Sequence, residues 1–347
     1  MRILLGMSGG VDSAYSALKL KSAGHEVEGA VLLMHEYTET EEAKKCAESI
    51  GIPLRVIDCR EAFSKIVVEN FISEYLNGRT PNPCVLCNRE VKFRYLYEYA
   101  KNNGFDKIAT GHYAKIVKIG ERYAVSRAKD RKKDQSYMLY RLPQEILADT
   151  VFPLNEEEKH NVKEDSRKSG ISAADRKESQ EICFIPSGEY AEYIEERRGK
   201  TPVGNYIDIK GKILGEHKGI IRYTVGQRKG LGISLGERVF VNAINPIDNT
   251  VVLSAAPSES DSIDISDIVF SGMDEMERGE RRGLSVKIRY LAPLAECEFL
   301  YLGEGRGRVI FRNPQISVTP GQSAVLYDGD VVMAGGIISN SGAKADA

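Results

Sequence analysis

An apolar run, Ile3–Leu5, leads directly into Gly6-Met7-Ser8-Gly9-Gly10-Val11-Asp12-Ser13 and then into the helical pattern Ala14–Leu20. A strand that ends in a Gly/Ser turn and opens a helix leaves the first helical N–H groups unpaired, and the helix dipole adds positive potential there. Glycines let an anion approach that backbone closely. The stretch therefore reads as an anion cradle, with a ligand-free glycine turn as the bland alternative. It lacks the Lys of G-x-x-x-x-G-K-[ST], and its glycines do not fit G-x-G-x-x-G. The same grammar continues downstream. Val27–Leu33, Leu54–Ile57 and Lys107–Thr110 read as strands; Asp12–Ala23, Glu39–Ile50, Ala62–Leu76 and Asn88–Asn102 read as helices. Such alternation predicts an α/β domain whose parallel sheet is covered on both faces. The Gly6–Ser13 loop then lies at the carboxyl edge of the sheet, where open α/β folds bind ligands.

Residues 143–200 are rich in charge and read as helix and loop. From about Thr201 short alternating strands follow, separated by Gly, Pro and Asn turns: Arg238–Ala243, Thr250–Leu253, Leu284–Arg289, Glu296–Leu302, Arg308–Phe311 and Ser323–Tyr327. This is barrel grammar, and a break near Pro257–Ser262 divides it into two β-rich modules, the last a β-barrel. The expected domains are 1–200 (α/β, catalytic), 201–260 (small, β-rich), 261–340 (β-barrel) and a disordered tail over 341–347. A length of 347 residues suits two or three domains.

No apolar stretch approaches the roughly 20 residues needed to span a bilayer, and the start does not read as a signal peptide. A cytoplasmic protein without a membrane partner is expected. Six cysteines without a secretory signal fit a reducing compartment, where a close pair points to redox, metal or nucleophile chemistry. The net charge of −2 excludes a general polycation, so any nucleic-acid surface is local. Two stretches qualify. Arg122–Lys133 holds six basic residues and one acid, and Ile220–Gly236 holds three basics and no acid.

Thr80-Pro81-Asn82-Pro83-Cys84-Val85-Leu86-Cys87-Asn88 is the second informative segment. Its prolines fix an irregular loop, with Cys87 expected just before a helix capped by Asn88. A helix N-terminus lowers a thiol's pKa. A C-x-x-C pair there is either redox-active or a ligand pair; as a zinc half-site it lacks a second C-x-x-C or H-x₃₋₅-H. Cys183 has acidic and amide flanks, Glu178-Ser179-Gln180-Glu181, and Pro186 follows. Cys46, Cys59 and Cys297 read as packed thiols.

Ser8-Gly9-Gly10-Val11-Asp12-Ser13 resembles the pyrophosphate loop of enzymes that adenylate a substrate and release pyrophosphate. Further motifs follow in order: the Asn82–Asn88 loop, Ala109-Thr110-Gly111-His112-Tyr113-Ala114, Lys133-Asp134-Gln135-Ser136-Tyr137, the Cys183 segment, Tyr223–Gly232 and Thr319-Pro320-Gly321-Gln322. The ordered set, covering essentially the whole chain, resembles the bacterial tRNA-specific 2-thiouridylases. The resemblance implies an adenine-nucleotide α-hydrolase-like first domain and ATP-dependent 2-thiolation of the wobble uridine at position 34 of tRNA. By it, Gly6, Met7, Ser8, Gly9, Gly10, Val11, Asp12 and Ser13 hold ATP phosphates. Asp12 helps position Mg²⁺, and Leu32 and Gly111 belong to the nucleotide pocket. Cys87 is the nucleophile and Cys183 carries a persulfide. Asn82, Pro83 and the residue at 84 contact the flipped base. Lys133, Asp134, Gln135, Arg289, Tyr290 and Gln322 touch tRNA, as does His112, whose bland alternative is a packed imidazole. The 201–260 domain is implied to contact tRNA.

One position departs from the family pattern: Cys84 stands where Asp is common. Three thiolates, Cys84, Cys87 and Cys183, are enough to hold a [4Fe–4S] cluster with an open iron that binds sulfide. Alternatively Cys84 replaces a base contact or resolves a disulfide. The sulfur source is a cysteine desulfurase, a relay protein or free sulfide. Two rival functions stay open: another pyrophosphate-loop adenylating ligase, and a catalytically silent tRNA-binding protein.

Overall fold

The computed structural model describes residues 1–171, 173, 182–185 and 188–341. The first sheet is built from β1 (Arg2–Gly6), β2 (Glu26–Leu33), β3 (Leu54–Asp58), β4 (Lys107–Thr110) and, after a hairpin, β7 (Thr150–Val151). Its order is β3-β2-β1-β4-β7 and every pairing is parallel. Successive side chains of a strand face opposite ways, so Ile3 and Leu5 pack into one layer and Leu4 into the other. The first layer includes α1 (Val11–Ser22) and α2 (Thr40–Ile50); the second includes α6 (Phe93–Asn102). Burial on both faces is why these strands read as continuous apolar runs.

The hairpin β5 (Ala114–Ile119) and β6 (Arg122–Arg127) was hidden in the sequence by its charge. It leaves the parallel sheet and joins the C-terminal barrel, where Ser126 pairs with Val331. The α/β segment thus contributes two strands to the barrel sheet.

A second sheet, order β10-β11-β8-β9, combines β8 (Gly204–Ile207), β9 (Ile213–His217), β10 (Phe240–Asn245) and β11 (Thr250–Ser254) around Tyr206, Tyr223 and Val241. The third comprises β12 (Glu259–Phe270), β13 (Arg281–Lys287), β14 (Ala295–Gly303), β15 (Arg306–Ile316), β16 (Ser323–Asp328) and β17 (Val331–Ser341). These six strands run β12-β15-β14-β13-β16-β17, and β17 pairs back with β12, closing a barrel. Of the tail expected to be disordered, Ser341 ends β17; 342–347 lie outside the described residues.

Candidate active site

β1 ends at Gly6 and α1 starts at Val11, so Met7–Gly10 form a turn at the carboxyl edge of the sheet. Ser13 ties the turn together. Its Oγ accepts from the Ser8 N–H at 3.3 Å and donates to the Gly10 carbonyl at 2.9 Å. Gly9 has φ +75°, and a Cβ there would lie 2.8 Å from the Ala43 nitrogen, so only glycine lets α2 pack this close. Gly10 differs: a Cβ would meet only Ser8 Oγ, at 3.5 Å, leaving open space over the loop. Gly111 follows β4 and supports the first turn of α1, since a Cβ would lie 2.9 Å from the Asp12 carbonyl carbon and the Ser13 nitrogen.

Asp12 has partners that sequence reasoning missed. The Lys159 ammonium donates to both carboxylate oxygens, at 2.7 and 2.6 Å, and the Tyr113 hydroxyl donates to Oδ1 at 2.8 Å. Lys159 opens α8 (Lys159–Lys168), within the stretch read as solvated charge. Its side chain is only 9% exposed. No pattern in the sequence distinguishes that one buried lysine from its exposed neighbours.

Asn82, not Asn88, is the helix cap of the cysteine loop. Its Oδ1 accepts from the Cys84 N–H at 3.2 Å and starts α5 (Pro83–Cys87), with Pro83 in the first turn. The chain continues as a π-turn, Asn88–Lys92, into α6. Asn88 is buried within this run and donates from Nδ2 to the Met138 carbonyl at 3.0 Å. Cys87 therefore lies inside a helical run, and the expected lowering of its pKa does not occur. Burial pushes the Cys87 thiol up to about 12, with Lys92 opposing the rise. Burial also raises Cys183, to about 11, and Cys84. Cys84 and Cys183 are nonetheless exposed to solvent, whereas Cys87 is buried. The thiols of Cys84, Cys87 and Cys183 interact electrostatically, and the Cys87 thiol donates to Met34 Sδ at 3.7 Å. Cys46, Cys59 and Cys297 are buried thiols outside any disulfide, as expected of packing cysteines. Residues 178–181, the flank expected to distinguish Cys183, and Pro186 lie outside the described residues.

One short loop joins the two regions. Gly111 touches Asp12 and Ser13, while the next residue, His112, has its ring 5.5 Å from Phe93 and 6.1 Å from Phe152. His112 Nδ1 pairs with Thr110 Oγ1 at 2.7 Å. Burial, aided by the Lys92 charge, holds this imidazole well below its ordinary pKa, so it is neutral. Leu32, at the end of β2, packs in one cluster with Cys87 and Phe184.

Among the described residues no three His, Cys, Asp or Glu side chains converge to hold a metal ion. The thiols of Cys84, Cys87 and Cys183 interact with one another but do not converge on a single ion. For Mg²⁺ the loop offers Asp12, already bound by Lys159. That donor set fits Mg²⁺ only as an ion carried in with nucleotide phosphates, its usual mode.

Three family profiles match consecutive parts of the chain: a tRNA methyl transferase HUP domain over 1–187, a tRNA methyl transferase PRC-barrel domain over 191–255, and an aminomethyltransferase beta-barrel domain over 260–338. The tRNA-specific 2-thiouridylase MnmA of Clostridium botulinum (strain Alaska E43) is 42% identical over 356 residues, 97% of each chain. That of Clostridioides difficile (strain 630) is 40% identical over 363 residues, 98% of each chain. This chain belongs to the tRNA-specific 2-thiouridylase family. Likeness to solved structures is weak. An NMN synthetase from Francisella tularensis aligns at 18% identity and TM-score 0.35, over 58% of this chain and 78% of that one. A 4-thiouridine synthetase–RNA complex aligns at 15% identity and TM-score 0.36, over 56% and 50%.

Several positions expected to face RNA in a 2-thiouridylase are occupied internally here. The Asp134 carboxylate is fully buried: it accepts from the Ala128 N–H at 3.1 Å and from Ser136 Oγ at 2.9 Å, so direct RNA contact by this side chain is corrected. Gln135 Oε1 accepts from the Tyr113 N–H at 2.9 Å. The Arg289 guanidinium holds the Val225 and Ser317 carbonyls, at 2.9 and 2.7 Å, and Thr319 Oγ1. Gln322 Nε2 donates to the Thr80 carbonyl at 2.8 Å, pinning the barrel to the cysteine loop. Tyr290 is near Cys84, and its ring lies tilted 6.2 Å from that of Tyr137. The Lys133 N–H closes a turn onto the Asp130 carbonyl. Three of the six basic residues of the first stretch are paired: Arg122 with Asp274, and Arg127 and Arg131 with Asp330. Arg222 pairs with Glu192 and Glu195, whereas Arg228 and Lys229 are exposed. Among the described residues no helix is long and apolar enough to cross a membrane.

Proposed function

We propose that this protein converts uridine 34 of tRNA to 2-thiouridine, using ATP and a persulfide on Cys183. The observation that carries this reading is the Gly111–His112 loop, which backs the anion cradle at Asp12 and Ser13 and packs on Phe93, the residue that follows the turn after Cys87. A reaction that first adenylates and then thiolates one carbonyl needs that proximity. ATP phosphates would lie on the open backbone of Ser8–Ser13, and Mg²⁺, where bound, would sit between Asp12 and the phosphates and neutralise their charge. Asn82, Pro83 and Cys84 would meet a base drawn out of its stack.

The uracil C2 oxygen attacks the α-phosphorus, pyrophosphate leaves, and N3 gives up its proton. The outer sulfur of the Cys183 persulfide then attacks C2 and AMP departs. The Cys87 thiolate attacks Cys183 Sγ, breaking the bond to the transferred sulfur. Thiouridine leaves and regains a proton, and a Cys87–Cys183 disulfide remains. The sulfane sulfur has gained the two electrons that the thiols lost; an external dithiol returns them, and a desulfurase or relay protein recharges Cys183. The persulfide route needs only the Cys87 and Cys183 pair, so cluster-bound sulfide is not the route favoured. Methyl transfer, named by two of the matching profiles, has no use for the paired thiols beside a phosphate cradle. The domains proposed for these tasks are 1–200 for chemistry, with 201–260 and 261–340 holding tRNA. The test is nucleoside analysis of tRNA incubated with ATP and a persulfide donor. One AMP and one pyrophosphate per 2-thiouridine are expected; ADP and phosphate would overturn the reading.

Two further outcomes are expected. Gly111→Ala should weaken ATP binding about tenfold, equivalent to ~1.4 kcal/mol, since the new methyl would push on the Asp12–Ser13 backbone; nucleotide titration of the folded variant measures it. Arg228→Ala with Lys229→Ala should weaken tRNA binding and lower its salt slope by about 0.9 per lost phosphate contact, or slightly less on single strands. An unchanged slope would show that the Gln227–Gly232 loop is structural.

A further inference from the structure

The anion cradle carries no cation of its own. Met7–Ser13 contains neither Lys nor Arg, and its one charged side chain is Asp12, an anion where an anion is to bind. A loop of the G-x-x-x-x-G-K-[ST] type holds its lysine within the motif, and that lysine reaches the outer phosphates. Here the fold brings a lysine from elsewhere. Lys159 stands 147 residues after Asp12 and opens α8. Its backbone N–H donates to Asp130 Oδ2 at 3.0 Å, which fixes where that helix begins. Its ammonium donates to both Asp12 oxygens, at 2.7 and 2.6 Å, and lies 5.7 Å from the centre of the Tyr113 ring. Two acids just before it are engaged with other lysines, Glu156 with Lys115 at 3.1 Å and Glu157 with Lys19. The lysine side chain is buried, whereas the Asp12 carboxylate is reached by solvent.

A carboxylate in a phosphate site repels its ligand unless a cation balances it. Lys159 balances Asp12 before nucleotide binds. Once Asp12 is shared with Mg²⁺ on the nucleotide phosphates, that balance is supplied twice. A lysine is a point charge on a flexible stem, so it turns between acceptors without movement of the backbone. We infer that Lys159 is the phosphate-binding lysine of this loop, held on Asp12 until nucleotide arrives and then transferred to the outer phosphates of ATP. The inference rests on the ATP-dependent reading and deepens it. On the outer phosphates the ammonium meets the negative charge that builds on the departing pyrophosphate while the α-phosphorus is attacked.

The test reads binding, not turnover, on the full-length protein. Calorimetric titration with Mg²⁺-ATP, Mg²⁺-pyrophosphate and AMP compares wild type with Lys159→Met. Loss of a hydrogen bond from a charged group is expected to weaken ATP and pyrophosphate about tenfold to a hundredfold. AMP, which lacks the outer phosphates, should bind as before. Equal affinities in the two proteins would overturn the inference. So would a matching loss of AMP, since the loop itself would then have collapsed. A second arm tests the transfer. With metal removed by EDTA, Asp12→Asn should bind inorganic pyrophosphate about tenfold more tightly than wild type, because the carboxylate no longer holds Lys159. Adding Lys159→Met should cancel that gain. An Asp12→Asn protein without the gain would overturn the inference, as would a gain that survives Lys159→Met, since only the lost negative charge would then be at work. Lys159→Gln replaces Lys159→Met if the latter fails to fold by circular dichroism. If wild type binds pyrophosphate but makes no 2-thiouridine, the thiolation reading falls while the titrations still judge Lys159.

Discussion

Cys87→Ser is expected to trap the tRNA on the protein through a disulfide. In this variant the Cys183 persulfide still attacks C2 and AMP still leaves, but no thiolate attacks Cys183 Sγ. The product stays joined as Cys183–S–S–C2, stable to denaturant and released by dithiothreitol. Turnover should fall at least about a thousandfold, the scale on which loss of a nucleophile acts. Cys183→Ser should be equally inactive and form no adduct, because it carries no persulfide. Cys84→Asp should stay active, since Cys84 has no covalent role in the scheme. A non-reducing denaturing gel of labelled tRNA separates the three outcomes. An adduct in Cys183→Ser, or none in Cys87→Ser with a competent donor, would sink the assignment of roles. Activity in any of these proteins that appears only after anaerobic iron–sulfur reconstitution would sink the persulfide route itself.

The expectation that Cys87 is an easily ionised thiol shows where local reading stops. Pro-x-Pro reads as an irregular loop, so the helix was expected to begin at Asn88. In the structure Asn82 caps it six residues earlier, and the π-turn carries it past Cys87 without a break. The cap signal, Asn followed by Pro at the first helical position, was present. The C-x-x-C spacing drew attention from it. The parallel strands were legible because burial on both faces writes itself as apolar runs such as Ile3–Leu5. The β5–β6 hairpin was not, because its partner is a strand more than 200 residues later, and its Arg122 and Arg127 face Asp274 and Asp330, which only the fold supplies. Asp134, which follows the basic run and is expected from the resemblance to touch tRNA, has its oxygens consumed by its own turn. Patterns mark elements; they do not say which charges the tertiary structure neutralises.

Asp12 carries the second large effect, and the structure changes what its removal should do. From the sequence, a loop carboxylate is expected to matter for the metal and little for folding. Here it accepts two bonds from Lys159 and one from Tyr113. Asp12→Asn should abolish pyrophosphate release, because the carboxylate that would share Mg²⁺ with the phosphates is gone. It should also destabilise the fold, since Lys159 keeps its charge in a site only 9% exposed. Exposed pairs are worth about 0–1 kcal/mol and broken buried pairs about 3–5 kcal/mol. Asp12 is 32% exposed and lies between, so a loss of ~1–3 kcal/mol is expected. Lys159→Met removes the charge that Asp12 balances: the double variant should recover much of the stability and none of the activity. Urea denaturation of the four proteins closes the cycle. If Asp12→Asn is as stable as wild type, the Asp12–Lys159 pair carries no energy in solution. If the double variant instead releases pyrophosphate, Asp12 is a structural partner of Lys159 and not part of the chemistry.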